Sequence, residues 1–224
     1  ITDNGKFIVE GDIILRKHPW IRNIKKASQW PKGIVPYKFR SLDELEEEDI
    51  EEITSAMEYI EENSCVRFVK KQPHHKDFVI IKLGTGCNSE VGKQGGAQEL
   101  VLDPVACMTK GIIIHELMHT LGFLHEQSRD DRDKFVKINS DNIDSKFFDN
   151  FDKSSKAKSD HLGEDYDFKS VMHYYYNEFA RDKSKASIEP IVDGVNLSDL
   201  GESKRLGILS ETDKRKLNKF YSCD

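Results

Sequence analysis

The sequence predicts an α+β fold in two lobes. Three observations carry this. Short strand-like runs alternate with two helical segments as far as about residue 121. Regular patterning thins out beyond His125 and returns only in a helix near the C-terminus. The boundary between the halves, at about residue 125, falls inside a histidine-rich run, so the chemistry sits where the lobes meet.

The elements follow in chain order. In residues 1–22 Ile13-Ile14-Leu15 is apolar, but Gly5, Gly11 and Pro19 interrupt any period, so this stretch reads as lying outside the folded domain. Regular sequence begins at Trp30-Pro31, and the alternation through Phe39 predicts a first strand. Residues 43–62 predict a helix. Ile50, Ile53, Met57 and Ile60 form its apolar stripe, and the acidic run from Glu46 to Glu52 its solvated face. Cys65-Val66-Arg67-Phe68-Val69 alternates as a second strand, and residues 78–83 read as a buried third. The glycine-rich stretches 84–87 and 91–96 predict loops, and Gln98-Glu99-Leu100-Val101-Leu102 a fourth strand. A helix over roughly 109–121 begins with the apolar run Gly111-Ile112-Ile113-Ile114. In the second half, residues 139–151 predict a helix with Ile143, Phe147, Phe148 and Phe151 on one side, and 152–167 a polar loop. Residues 211–221 predict a C-terminal helix, with Ser210 as N-cap and Leu217, Phe220 and Tyr221 turned inward.

The run His115-Glu116-Leu117-Met118-His119-Thr120-Leu121-Gly122-Phe123-Leu124-His125-Glu126 carries the chemistry. Four residues turn a helix through about 400°, so His115 and His119 leave the same face one turn apart. Gly122 takes a left-handed conformation at no steric cost, which ends the helix and returns His125 to the same point. Three imidazoles converging there make a catalytic zinc site, and Glu116, beside the first of them, stands as general base for an activated water.

This run resembles the extended zinc motif of the metzincins, and Gly122-Phe123-Leu124-His125-Glu126 narrows the resemblance to the astacin family of zinc endopeptidases. Ser170-Val171-Met172-His173-Tyr174 resembles that family's Met-turn. The resemblance covers about residue 28 to the end. It implies a metzincin fold: an N-terminal lobe with a twisted, mostly parallel sheet and an active-site helix, and an irregular C-terminal lobe with a C-terminal helix. It implies one zinc on His115, His119 and His125, with Met172 as apolar floor and His173 not a ligand. Tyr174 is then an additional ligand of the mature form, whose hydroxyl swings away to stabilise the transition state. It also implies that the strand 98–102 pairs its edge with the substrate backbone.

Four cysteines allow three pairings, and the resemblance implies Cys65–Cys223 and Cys87–Cys107. The second closes a loop of about 20 residues, worth about 3 kcal/mol in the chain-entropy model. No Cys-x-x-Cys pair is present to suggest zinc ligation by thiols.

Val9-Glu10-Gly11-Asp12-Ile13 resembles the astacin pro-segment motif Phe-x-Gly-Asp, with Val9 where the family prefers Phe and Phe7 close by. The resemblance implies a zymogen in which Asp12 ligates the zinc and displaces the catalytic water, Gly11 permitting the close approach. Residues 1–22 are then an inhibitory pro-segment. Residues 23–224 are the catalytic domain, with an N-lobe to about 125 and a C-lobe over 126–224. An activating protease would cut between Lys17 and Ser28, near 21–23, where Arg22 offers a trypsin-like site. The new α-amino group would reach a buried Glu126.

Composition bounds the rest. The 224 residues carry a net charge of −6 with both signs interspersed, which argues against nucleic-acid binding. No apolar run approaches a membrane span, and the first ten residues lack the apolar core of a secretory signal. Disulfides imply an oxidising compartment, so the expectation is a secreted, extracellular enzyme acting on protein or peptide substrates. Asn196-Leu197-Ser198 is a glycosylation sequon. Specificity is expected from residues 177–190 and 205–209. Two rival readings are a zinc-containing pseudo-enzyme or binding protein without turnover, against which Glu116 counts, and a different metzincin, against which Glu126 and Tyr174 count.

Overall fold

The structure is a computed structural model that describes residues 6–16, 29–41, 45–154 and 160–223. Among these residues the first lobe contains β1 (Phe7–Val9), β2 (Ile13–Leu15), β3 (Ile34–Phe39), α1 (Glu47–Glu62), β4 (Arg67–Lys70), β5 (Phe78–Leu83), β6 (Asn88–Glu90), β7 (Ala97–Leu102) and α2 (Lys110–Leu121). The second contains β8 (Val136–Ile138), β9 (Ile188–Pro190), α3 (Glu202–Leu206) and α4 (Glu211–Tyr221), joined by 3-10 turns.

The main sheet has seven strands in the order β1-β2-β6-β7-β5-β3-β4. Strands β4, β3, β5 and β7 run parallel, β6 antiparallel to β7, and β2 parallel to β6. Val35, Ile81 and Leu100 from the sheet, Ile53, Met57 and Ile60 from α1, and Ile113, Leu117 and Leu121 from α2 share one dry core. Each such side chain contributes about 1.5–3 kcal/mol. Trp30 and Tyr221 fasten the end of α2: the indole N–H donates to the Thr120 carbonyl at 2.9 Å and the phenol to the Leu121 carbonyl at 2.9 Å. Both carbonyls would otherwise be orphaned at the helix terminus.

The second lobe has its own smaller core, including Val136, Ile143, Phe151, Tyr166 and Ile188. The start of α4 holds the turn beneath the site. Ser210 and Asp213 form a reciprocal capping box. The Asp213 carboxylate also accepts from the Ser170 hydroxyl at 2.6 Å and the Val171 N–H at 2.8 Å. The disulfides are Cys65–Cys223 and Cys87–Cys107. The first ties the C-terminus to the first lobe, and the second encloses β6 and β7.

Several expectations change. Residues 7–15 belong to the sheet: β1 and β2 form a hairpin, and Ile13 and Ile14 are buried. Gly11, which interrupts the sequence pattern, builds the turn between the two strands. A 3-10 turn at Pro31–Gly33 precedes β3, and α1 begins at Glu47, after the residues expected to open it. Residues 139–151 form two 3-10 turns, Ser140–Asn142 and Ser145–Phe151. There the Asp144 side chain accepts from the Lys146 N–H and Asn142 donates across to the loop at 182–186, so local side-chain bonds displace the α-helical pattern. Phe148 is 43% exposed, whereas Ile143 and Phe151, expected on the same side, are buried. The short strands β6, β8 and β9 have no counterpart among the expected elements. Among the described residues no helix is long and apolar enough to cross a membrane.

Candidate metal centre and cleft

Helix α2 is buried over most of its length, His115, Glu116 and His119 included. It ends at Gly122, whose φ of 111° is left-handed. The Gly122 N–H bonds to the His119 carbonyl at 2.8 Å and the Phe123 N–H to that of Met118 at 3.0 Å, closing the terminus. The chain then doubles back and delivers His125. The ring centroids of the three histidines lie 4.7, 4.7 and 5.3 Å apart.

The hydrogen bonds fix which nitrogen faces inward. His115 Nδ1 lies 2.8 Å from the Val171 carbonyl and His119 Nδ1 2.7 Å from that of Phe123. A carbonyl only accepts, so each Nδ1 carries the proton and each Nε2 presents its lone pair. His125 Nδ1 is 2.9 Å from a carboxylate oxygen of Glu10.

Asp12 closes the cluster. Val9 and Ile13 pair across a three-residue turn, and that turn, Glu10-Gly11-Asp12, enters the cleft. The Asp12 carboxylate oxygens lie 3.2, 3.5 and 3.1 Å from Nε2 of His115, His119 and His125. Tetrahedral zinc with bonds of about 2.0–2.1 Å holds its ligand atoms about 3.3 Å apart, so this spacing suits the ion. Two buried atoms of the cluster, His119 Nε2 and Asp12 Oδ1, have no hydrogen-bond partner, which buried polar atoms rarely tolerate. The donor set is three imidazoles and a carboxylate, and their ligand atoms all lie within 4.8 Å of one another. The residues fit zinc.

The electrostatics of the polypeptide alone are those of a site lacking a positive charge. Burial, then the charge on Lys204, pushes His115 down to about 3. Burial opposes the charge on His125 too, but the Asp12 and Glu10 carboxylates outweigh it and hold that ring at about 9. Burial raises Asp12 as well, but the charge on His125 and the three ring nitrogens around its carboxylate outweigh it and keep it well below the usual carboxylate range. Burial and the Asp12 charge push Glu116 well above that range. A divalent cation at the centre inverts this balance in favour of neutral imidazoles and ionised carboxylates.

Around the cluster, Glu116 is 1% exposed and its Oε2 has no hydrogen-bond partner. It borders a cavity of about 270 Å³ lined also by Asp12, His115, Tyr174, Glu178 and Lys204. The Tyr174 hydroxyl donates to the Glu10 carbonyl, and its ring packs 4.7 Å from that of His125. Met172 is buried beneath, its carbonyl accepting from the Glu126 N–H at 3.1 Å. His173 faces away from the cluster and bonds the Tyr166 hydroxyl at 2.7 Å.

Glu126 is buried and fully partnered. Its carboxylate meets Lys216 Nζ at 2.7 Å, an Arg129 guanidinium nitrogen at 3.0 Å and the Asp167 N–H at 3.0 Å. Arg22 and the region of the expected cut lie outside the described residues.

The strand 98–102 is not the open edge of the cleft. As part of β7 it is paired with β5 on one side and with β6 on the other. The outer strand is β6, and β2 lies on it with Ile13 opposite Ser89 and Ile14 opposite Glu90. Asn88-Ser89-Glu90 is short and polar, with neither alternation nor β-branched residues to mark it. Glu10 was likewise missed as a contact of the site: nothing in a lone glutamate beside Gly-Asp signals a bond to a histidine 115 positions away.

A sheet backed by one buried helix, with a His-Glu-x-x-His pair and a third histidine past a glycine turn, defines the zinc metalloproteinase class. The astacin peptidase family matches over residues 22–222, and the chain belongs to that family. It is 41% identical over 196 residues to zinc metalloproteinase nas-14 of Caenorhabditis elegans, covering 87% of this chain and 37% of that one. It is 40% identical over 224 residues to the astacin-like metalloendopeptidase of Coturnix japonica, covering 99% and 53%. The chain thus spans between about a third and a half of the length of these relatives. High choriolytic enzyme 1, a hatching-enzyme zinc-protease from Oryzias latipes, superposes with a TM-score of 0.78 at 35% identity, over 88% of this chain and 94% of that one.

Proposed function

We propose that this protein is a secreted zinc endopeptidase in its latent form, with residues 1–22 as an inhibitory pro-segment. The single observation that supports this best is the meeting of three Nε2 atoms on the Asp12 carboxylate at 3.1–3.5 Å. His115, His119 and His125 hold the metal, and Asp12 takes the position that a reacting water needs. Zinc, when bound, supplies Lewis-acid polarisation of the water and of the scissile carbonyl.

The chain's own groups do the rest. With the segment gone, the Glu116 carboxylate takes the proton of the attacking water and passes it to the leaving amine. The Tyr174 hydroxyl, released from the Glu10 carbonyl, donates to the oxyanion as it develops. The edge of β6, uncovered by the departure of β2, aligns an extended peptide by backbone hydrogen bonds. The two disulfides support an extracellular setting.

The test has two readouts. Metal analysis of the intact chain is expected to find one zinc, retained in Glu116→Ala and largely lost in His119→Ala. The intact chain should cleave extended peptides poorly, and proteolytic trimming between residues 17 and 28 should switch turnover on in the parent but not in Glu116→Ala. Asp12→Ala should show turnover before any trimming. A trimmed, zinc-loaded parent without peptidase activity would refute the reading.

A further inference from the structure

Arg16 follows β2 and turns its guanidinium back onto the edge of the cleft. Its Nη2 lies 2.8 Å and its Nε 3.1 Å from Glu90 Oε2. Nη1 donates to the Gly95 carbonyl at 2.9 Å and Nη2 to the Ala97 carbonyl at 2.7 Å. A carboxylate and two carbonyls therefore surround one planar fork of donors, an arrangement that suits guanidinium far better than an ammonium. Lys6 adds a second cation to Glu90 at 2.9 Å and also reaches Glu99 at 2.9 Å.

All the acceptors belong to the catalytic domain, and both cations on Glu90 belong to the N-terminal segment. Glu99 keeps a partner of its own, Lys82, at 2.9 Å. Among the described residues Glu90 has no cation within salt-bridge distance besides Lys6 and Arg16. Its side chain is wholly buried, and β2 of the segment lies along the strand that carries it. Loss of residues 6–16 leaves a carboxylate with two free carbonyls beside it, on the strand that the segment occupied.

We propose that Glu90, with the carbonyls of Gly95 and Ala97, forms a guanidinium-binding subsite on the substrate edge of the cleft. It takes an arginine side chain of the peptide substrate, and Arg16 fills it in the latent chain. This rests on the reading of the protein as a peptidase. Arg16 lies four positions beyond Asp12, so the arginine recognised lies within about five residues of the scissile bond on the β6 side, at about 3.3 Å per residue of extended chain.

The experiment uses the trimmed protein and extended peptides that carry arginine, lysine or citrulline at each of positions two to five from the scissile bond. Citrulline keeps the shape of arginine and removes the charge. At one position arginine is expected to raise kcat/KM about 10-fold over citrulline, with lysine between, and Glu90→Gln should collapse that ratio towards one. Equal rates for arginine and citrulline at every position, or a ratio that survives in Glu90→Gln, would overturn the proposal. A second arm needs no turnover: the affinity of a synthetic peptide of residues 6–16 for the trimmed protein, against the same peptide with citrulline at 16. About 10-fold weaker binding is expected, and equal affinity would overturn the subsite. If the affinities differ while no peptide is cleaved, the subsite stands and the peptidase reading fails.

Discussion

The Glu10 carboxylate lies 2.9 Å from Nδ1 of His125, so one ring of the cluster is oriented by the N-terminal segment. The other two are oriented by backbone carbonyls of the domain itself, Val171 for His115 and Phe123 for His119. Glu10 and Asp12 thus grip the same imidazole from opposite nitrogens. A carboxylate behind a histidine ligand fixes its tautomer and raises its basicity, and losing such a partner typically costs about 10–100-fold in metal affinity. Glu10→Ala in the intact chain should therefore surrender zinc to a competing chelator more readily by a factor in that range, while Glu10→Gln, whose amide oxygen still accepts, should lose less. Unchanged zinc retention in Glu10→Ala would mean that the contact has no influence on the metal.

Gly11 sets the geometry of the same turn. Its φ is 83°, and a Cβ there would sit 2.7 Å from Cζ of Phe179. That ring is packed against Phe147, Phe151 and Tyr174 and has little room to yield. Gly11→Ala should cost about 1 kcal/mol for the backbone conformation and more for the clash. The cost falls on the seating of the turn, so the expected result is faster proteolytic removal of the segment, by about 5-fold or more for each 1 kcal/mol, with an unchanged melting temperature for the trimmed domain. Cleavage of Gly11→Ala at the parent's rate would contradict this.

The centre was legible because its parts are local in sequence. His115, Glu116, His119, Gly122 and His125 are fixed by the helical period and one left-handed glycine, and the structure brings the three imidazoles together as the spacing requires. The strands β5 and β7 and helix α4 were legible for the same reason: alternation or capping marks them within a few residues. What the sequence hid depends on distant pairing. Ile13 and Ile14 are strand residues because β1 pairs with them on one side and Ser89 and Glu90 on the other, and a three-residue run next to glycine has no period of its own. The partners of Glu126 were hidden too, since Lys216 sits among surface-like charges of a C-terminal helix and meets its carboxylate 90 residues away.

Asp213 gives the fold a pH dependence that can be isolated. Burial, then the neighbouring Asp167, raises its pKa to about 6. The value in the unfolded chain is about 3.9, so the folded protein binds this proton more tightly. The resulting stability is fully present below about pH 4 and is lost as the pH rises through about 6, by about 3 kcal/mol over the whole window. Asp213→Asn cannot titrate, so the difference in unfolding free energy between parent and variant should change by that order between pH 4 and 6.5 and be flat above. A difference that stays constant over the whole range would mean that Asp213 is ionised throughout.

Lys216 and Glu126 form a buried ion pair at 2.7 Å directly behind the third histidine. Removing one partner of such a pair leaves an uncompensated charge and costs about 3–5 kcal/mol. Lys216→Met should fall at the lower end, about 3 kcal/mol, because Arg129 and the Asp167 N–H remain on the carboxylate. For a chain of this length that lowers the melting temperature by about 6–12 °C. Adding Glu126→Gln removes the stranded charge and should recover part of the loss. The comparison of intact with trimmed protein carries a further consequence. If trimming brings a new α-amino group to Glu126, that amine replaces the missing ammonium, and Lys216→Met will destabilise the trimmed protein less than the intact one. Equal losses in the two forms would mean that Lys216 and Arg129 already satisfy Glu126, and that the new terminus finds its partner elsewhere.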